Sequence, residues 1–184
     1  MAEPSAAEST AEPRLQPATA ADAGAIAEIY NESIEVGDAT MDEVLWTDAS
    51  VRAMLEAFSP REGIWMLEQD SRILGWGVIK RYSDRVGYRF ACETAVYLWR
   101  SEVGRGLGTR IKLGLIERCR ELGYHHMVAK IFAGNRASID YNLRLGYELV
   151  GIQRQIGFKN GQWQDVAILQ MLLGDGEPGP ATDR

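Results

Sequence analysis

Apolar side chains in this chain recur at two spacings, and the switches between them mark out the elements. The alternation of Arg14-Leu15-Gln16-Pro17 predicts a short first strand. Thr19 then offers a cap, and Ile26, Ile29 and Tyr30 follow at helical spacing. Residues 31–45 keep neither period and are expected to be irregular. A second helix fits residues 48–58, with Val51, Leu55 and Phe58 on one face and Pro60 beyond its end. Residues 64–68 and 73–79 are apolar runs joined by Asp70-Ser71-Arg72, a hairpin signal. A long strand is expected from about Tyr88 to Trp99. Beyond a glycine-rich turn, Leu107, Ile111, Leu115 and Cys119 recur every four residues, the buried stripe of a helix closed by Gly123. Residues 127–132 read as a strand, 136–145 as a helix stopped by Gly146, and 147–156 and 165–173 as closing strands.

An early antiparallel hairpin followed by a strand–helix–strand crossover predicts one α/β domain over residues 14–173. The 184 residues suffice for a single core. Residues 1–13, dominated by Ala, Ser, Glu and Pro, and the Gly- and Pro-rich residues 174–184 are expected to be disordered arms.

Charge narrows the partners. A net charge of -6, from 26 acidic and 20 basic side chains, argues against nonspecific binding of nucleic acid or an anionic membrane. No apolar run approaches the ~20 residues that cross a bilayer. The first ten residues lack the basic start and apolar block of a signal peptide. Cys92 and Cys119 both sit in apolar stretches and are expected to be reduced core thiols of a cytoplasmic protein. The only histidines, His125 and His126, are adjacent on a strand and point to opposite faces, so no metal site is expected.

Val103-Gly104-Arg105-Gly106-Leu107-Gly108-Thr109 lies between a strand and a helix. Closely spaced glycines let successive backbone N–H groups converge, and the helix start adds unpaired donors and a positive dipole end. Such a turn binds pyrophosphate, and Arg105, Arg110 and Lys112 add positive charge; a plain glycine-rich turn is the other reading. Neither the Walker pattern nor the Rossmann spacing is present. Glu93 is a carboxylate within an apolar strand, which is costly unless it is paired or used. Alternation places Arg89 on its face as an ion-pair partner; the other reading is a general base. Asn135 suits a helix N-cap.

These residues resemble the GNAT acetyltransferase superfamily, whose cofactor motif Gln/Arg-x-x-Gly-x-Gly/Ala opens a helix after a long central strand. Residues 103–108 match five of its six positions in character, with Val103 in place of Gln/Arg. The resemblance narrows to the phosphinothricin and methionine sulfone–sulfoximine acetyltransferase branch and runs from about Leu15 to Leu172. It rests on residues 14–22, on Ile29-Tyr30-Asn31-Glu32-Ser33-Ile34-Glu35 and on residues 85–98 with their Arg-x-x-Tyr-x-x-x-x-Glu-x-x-Val-Tyr pattern. Asn135-Arg136-Ala137-Ser138, Leu145-Gly146-Tyr147 and residues 157–166, with Lys159, Trp163 and Asp165, complete it.

The resemblance implies a GNAT fold with two splayed central strands and an acetyl-CoA-dependent N-acetyltransferase acting on the amine of a small amino-acid-like substrate. It implies Glu93 as general base, since an amine is mostly protonated at neutral pH and must lose a proton to attack. Arg85 and Tyr88 would hold the substrate carboxylate, an Arg doing so bidentately. Residues 103–109 would carry the diphosphate, Asn135 and Ser138 the pantetheine arm, and main-chain N–H groups around Val96 and Leu98 the thioester carbonyl and its oxyanion. A homodimer is implied as well. Two positions depart from the branch. Asn142 stands where His or Tyr is common near the leaving thiolate; Asn donates a hydrogen bond but no proton, so differently assisted turnover is expected. Met41 stands where Phe is usual, giving a softer wall to the substrate pocket. Tyr141, rotated about 100° from Asn142, is expected in the core. Other readings are a GNAT enzyme for another amine (a polyamine, an aminoglycoside or a protein N-terminus) and a non-catalytic CoA-binding module.

Overall fold

A computed structural model describes residues 12–174. The two terminal arms expected from composition lie outside the described residues, save for residues 12, 13 and 174.

Seven strands form one sheet: β1 (Arg14–Pro17), β2 (Gly63–Gln69), β3 (Arg72–Arg81), β4 (Ala91–Leu98), β5 (His126–Phe132), β6 (Glu148–Lys159) and β7 (Gln162–Leu172). Their spatial order is β1-β2-β3-β4-β5-β7-β6, and only β4 and β5 run parallel. The helices are α1 (Ala23–Val36), α2 (Asp48–Ala57), α3 (Leu107–Glu121) and α4 (Arg136–Arg144). One core cluster joins α1 and α2 to β2 and β3 around Ile26, Val51 and the fully buried Trp76. The other joins α3 to the opposite face through Ile111, Leu115 and Cys119. Close packing there needs Gly77: a Cβ would lie 2.6 Å from Leu115 Cδ1 and 2.7 Å from Ile111 Cγ2. The two thiols are free and buried, with Sγ atoms 3.6 Å apart.

Three boundaries differ from the pattern-based reading. The first helix continues through residues expected to be irregular, because Ser33 and Ile34 extend its buried face and Gly37, at φ 77°, is what ends it. The central strand begins at Ala91, since residues 86–88 form a 3-10 turn. That turn breaks the alternation linking Arg89 to Glu93; Arg89 stacks on Phe90 at 4.5 Å and donates to Val86 O. The last hairpin is longer than expected and turns at Asn160-Gly161, both at positive φ, as a tight two-residue loop requires.

The parallel pairing of β4 with β5 covers only residues 91–93 against 126–128. Beyond Glu93 the strands part. Tyr82 N donates to Ala91 O and Trp99 N to Leu74 O, so odd-numbered residues of β4 make the hydrogen bonds to β3. Past the last paired residues, the N–H and C=O groups of Val96 and Leu98 therefore turn toward the gap. Among the described residues, no helix is long and apolar enough to cross a membrane.

Candidate active site

A cleft of about 1000 Å³ opens where β4 and β5 diverge. One end is the glycine turn. Gly104 and Gly106 hold φ of 86° and 77°, and nothing lies within 4 Å of where their Cβ atoms would be. Gly106 is the N-cap of α3 with no side-chain cap, leaving the amides of Leu107, Gly108 and Thr109 without acceptors inside the helix. Val103, Gly104, Gly106, Gly108 and Thr109 line the cleft, whereas the Leu107 side chain is buried in the core. Arg105 is held at the turn by an ion pair with Glu102, a 2% exposed carboxylate that also binds Arg72 at 3.0 Å. Arg110 pairs with Glu12. Lys112, expected to add charge near this turn, is instead buried on the inner side of α3.

Across the cleft, Asn135 caps α4, its Oδ1 accepting from Ser138 N at 3.1 Å. Asn135, Arg136 and Ser138 line the wall, as do Val96 and Leu98. Tyr141 faces the cleft too, contrary to the expectation that it fills the core; its hydroxyl donates to Gly108 O at 2.9 Å, clasping α4 to α3.

On the other side of β4 lies a second cavity, about 400 Å³ in volume. Alternation sends Glu93, Ala95 and Tyr97 into it. Glu93 is partly buried and pairs through Oε2 with Lys130 Nζ at 2.6 Å. Tyr30, Trp46, Trp76 and Tyr97 form an aromatic wall with ring centroids 3.9 to 6.1 Å apart. Burial, together with the Asp42 carboxylate and offset by its bond to Thr40, pushes the Tyr30 hydroxyl up to about 12. The loop between α1 and α2 supplies Thr40, Met41 and Asp42. It is fixed by Tyr30, which bonds Thr40 and Asp42, by Asn31, which bonds both main-chain groups of Trp46, and by Lys159. Lys159 is 1% exposed and donates to Thr40 O and Asp42 O, each at 2.7 Å. Met41 packs on Gly157, where a Cβ would meet it at 2.8 Å. Ala39, Tyr97 and Phe132 wall both this cavity and the cleft, so the two spaces meet.

A third, smaller space of about 140 Å³ fills the wedge between β4 and β5 on the α3 side. Thr94, Val96, Lys112, Asn135, Ser138 and Asn142 line it. Asn142 is 3% exposed; Nδ2 donates to Ser138 O at 2.8 Å and Oδ1 has no partner among the described residues.

Arg85 and Tyr88 are not among the residues that line Glu93's cavity. Both are exposed on the connection between β3 and β4, and Tyr88 lines an adjoining cavity that shares Lys130 and Gln153 with the Glu93 cavity. The cations facing Glu93's cavity are Lys80 and Lys130. Residue pattern alone missed Lys130 and the aromatic wall, and it placed Lys112 at the glycine turn and not in the wedge. The late Lys–Trp–Asp spacing did flag Lys159, whose place in the site only the fold reveals. Asp165 accepts from Gln155 N and braces the bulge in β6, while Trp163 meets Phe158 edge-on at 5.2 Å.

Likeness to known proteins points the same way. Residues 14–148 match the family described as acetyltransferase (GNAT) domain. The chain is 32% identical over 161 residues to phosphinothricin N-acetyltransferase of Alcaligenes faecalis, which covers 85% of this chain and 80% of that protein. It is 33% identical over 169 residues to the L-methionine sulfoximine/L-methionine sulfone acetyltransferase of Pseudomonas paraeruginosa, covering 90% and 98%. The solved phosphinothricin acetyltransferase of Sinorhizobium meliloti, in complex with AcCoA, matches with a TM-score of 0.87 at 31% identity, over 93% of this chain and 95% of that one.

Proposed function

The chain belongs to the GNAT acetyltransferase family and is an N-acetyltransferase with acetyl-CoA as donor, and from that premise we propose that it acetylates the amine of a small amino-acid-like substrate, with Glu93 as general base. The substrates in view are phosphinothricin, methionine sulfone or sulfoximine and related L-amino acids, those named for the relatives it resembles.

The observation that carries this reading is the junction of the two spaces. Glu93 projects from β4 into a cavity sized for an amino acid, and that cavity shares walls with the cleft at the splayed strands. Lys80 and Lys130 line the cavity beside the carboxylates of Asp42 and Glu93, so it offers both signs of charge, which favours a zwitterionic amino acid over a polyamine or an aminoglycoside. Arg85 and Tyr88 join this proposal as residues of the adjoining rim. Met41, softer than an aromatic residue, adapts the wall to the substrate side chain.

The residues present fit acetyl-CoA. The uncapped start of α3 and the open glycines beside it suit a diphosphate. Asn135 and Ser138 suit the amides of the pantetheine arm. The gap-facing amides of Val96 and Leu98 suit an extended chain and an oxygen that gains negative charge. When bound, acetyl-CoA supplies an acetyl group activated as a thioester. Glu93 has Oε2 on Lys130 and Oε1 without a partner among the described residues, so Oε1 is the atom that accepts the amine's proton. Asn142 stands in the wedge and orders its water or the ligand's polar atoms.

The reading extends to a cytoplasmic homodimer. Exposed Leu149, Val150, Ile152, Ile156 and Phe158 on edge strand β6 support pairing with a second copy. The free, buried thiols suit a reducing compartment. The test is thiol release from acetyl-CoA over a panel of amino acids, including phosphinothricin and methionine sulfone and sulfoximine, beside polyamines and aminoglycosides. Turnover is expected with the amino acids; turnover confined to the cationic amines overturns the substrate assignment.

A further inference from the structure

Among the described residues, Lys112 and Lys130 are the lysines that line the wedge, and of the two only Lys112 is buried. It sits on α3, 2% exposed, and makes a single hydrogen bond among the described residues, from Nζ to Thr94 Oγ1 at 2.8 Å. Its Nζ also lies 4.9 Å from the centre of the Tyr147 ring. Two of its three N–H donors are therefore uncommitted beside the space that adjoins Val96, Ser138 and Asn142.

The other polar groups of that space are unsuited to giving up a proton. Tyr141 has its hydroxyl on Gly108 O, burial pushes that hydroxyl far above its ordinary value and does the same to Tyr97, and Asn135 has no acidic proton. Thr94 and Ser138 are aliphatic hydroxyls. Asn142 has no acidic proton and directs an unpartnered acceptor, Oδ1, into the region. Lys130 is engaged with Glu93. Burial, offset only in part by the nearby Cys119 and Cys92, lowers Lys112 to about 8, close to the reference value of a thiol. Cys92 itself is pushed far up by its neighbour Cys119 and by burial, and does not compete.

We propose that Lys112 is the proton donor to the sulfur of the departing coenzyme A, in the role that Asn142 cannot fill. The inference rests on the acetyl-CoA reading above. As the acyl C–S bond breaks, its electron pair goes to sulfur. One N–H bond of the Lys112 ammonium breaks and an S–H bond forms, leaving a neutral amine and a thiol. Water admitted to the wedge returns a proton to the amine. Donor and acceptor values that nearly match make the transfer close to thermoneutral.

The experiment compares wild type, Lys112→Met and Lys112→Gln. Acetyl-CoA affinity is measured by calorimetry, and the thiol of bound CoA is titrated by thiolate absorbance, taking the acetyl-CoA complex as blank. Acetyl-CoA should bind all three within about threefold. In wild type the thiol of bound CoA should titrate at least one pH unit below that of free CoA, and in both variants at or above it. kcat should fall roughly 10- to 100-fold in the variants. An unchanged thiol midpoint with intact acetyl-CoA binding overturns the role of Lys112 alone. Loss of acetyl-CoA binding in both variants overturns it too, making the lysine a wall of the site. Failure of wild type to bind acetyl-CoA overturns the functional reading with it.

Discussion

Replacing Lys112 by Met should stabilise the fold at neutral pH, and the gain should vanish in alkali. Burial lowers this amine from 10.5 to about 8. That gap corresponds to roughly 3 kcal/mol against the charged form. Below pH 8 the folded and unfolded chains both carry the ammonium, and the whole penalty is present. Between pH 8 and 10.5 the folded chain sheds its proton first, so the unfolded state binds more protons and wild-type stability rises relative to the variant. Above 10.5 no penalty remains. Met has similar length and is apolar but forfeits the bond to Thr94, about 1 kcal/mol. Thr94 keeps a partner in the Tyr147 hydroxyl at 3.2 Å. The net expectation is a gain of about 2 kcal/mol at pH 7, turning into a loss of about 1 kcal/mol above pH 10.5. For a chain of this size the gain is about 4–8 °C in Tm. Urea titrations of both proteins from pH 7 to 10.5, read as the difference in midpoint, decide the matter. A variant less stable at pH 7, or a difference that is flat with pH, refutes the picture of a desolvated cation at the wedge.

Three other substitutions probe the site. Glu93→Gln should lower kcat by 10²- to 10⁴-fold while acetyl-CoA affinity by calorimetry stays unchanged; wild-type turnover near neutral pH would remove Glu93 as the base. Lys159→Met removes two buried bonds to the carbonyls of Thr40 and Asp42, so it should cost about 2–3 kcal/mol and raise KM for the amine more than KM for acetyl-CoA. Equal rises in both constants would contradict a local role for the loop. Glu102→Gln frees Arg105 and Arg72 and should weaken CoA about 5- to 30-fold, equivalent to 1–2 kcal/mol, with little effect on the amine's KM. Unaltered CoA affinity by calorimetry would mean that the turn needs no brace.

The parts legible in the sequence are those governed by near neighbours. The stripe from Leu107 to Cys119, the positive-φ glycines at 104 and 106 and the Asn135 cap each follow from local geometry. So does the tight turn at Asp70-Ser71, both at positive φ. The parts that were not legible depend on partners remote in sequence. Lys112 reads as added charge beside the glycine turn; α3 instead packs it against the sheet, where the parting of β4 from β5 leaves the wedge it lines. Glu93 was given a partner four residues away, but the 3-10 turn at 86–88 ended the alternation and Lys130, on the neighbouring strand, took its place. Lys159 bonds to carbonyls more than a hundred residues earlier.

One structural choice produces both halves of the site. By ending its pairing at Glu93, β4 leaves the main-chain groups of Val96 and Leu98 facing a gap. Leaving such groups unpaired costs about 1–3 kcal/mol each when they are buried, so the gap is tolerable only where water or a ligand can reach it. The same strand keeps its alternation, so Glu93, Ala95 and Tyr97 go to the opposite cavity. The carboxylate proposed as base and the free amides of Val96 and Leu98 thus lie on one rigid element, a few residues apart. Their relative position follows from strand geometry and needs no moving loop to set it. What a loop does set, through Lys159, Tyr30 and Asn31, is the far wall of the cavity proposed for the amine, at Met41. On the proposed reading, donor chemistry is therefore written into the sheet and substrate choice into the segment pinned against it.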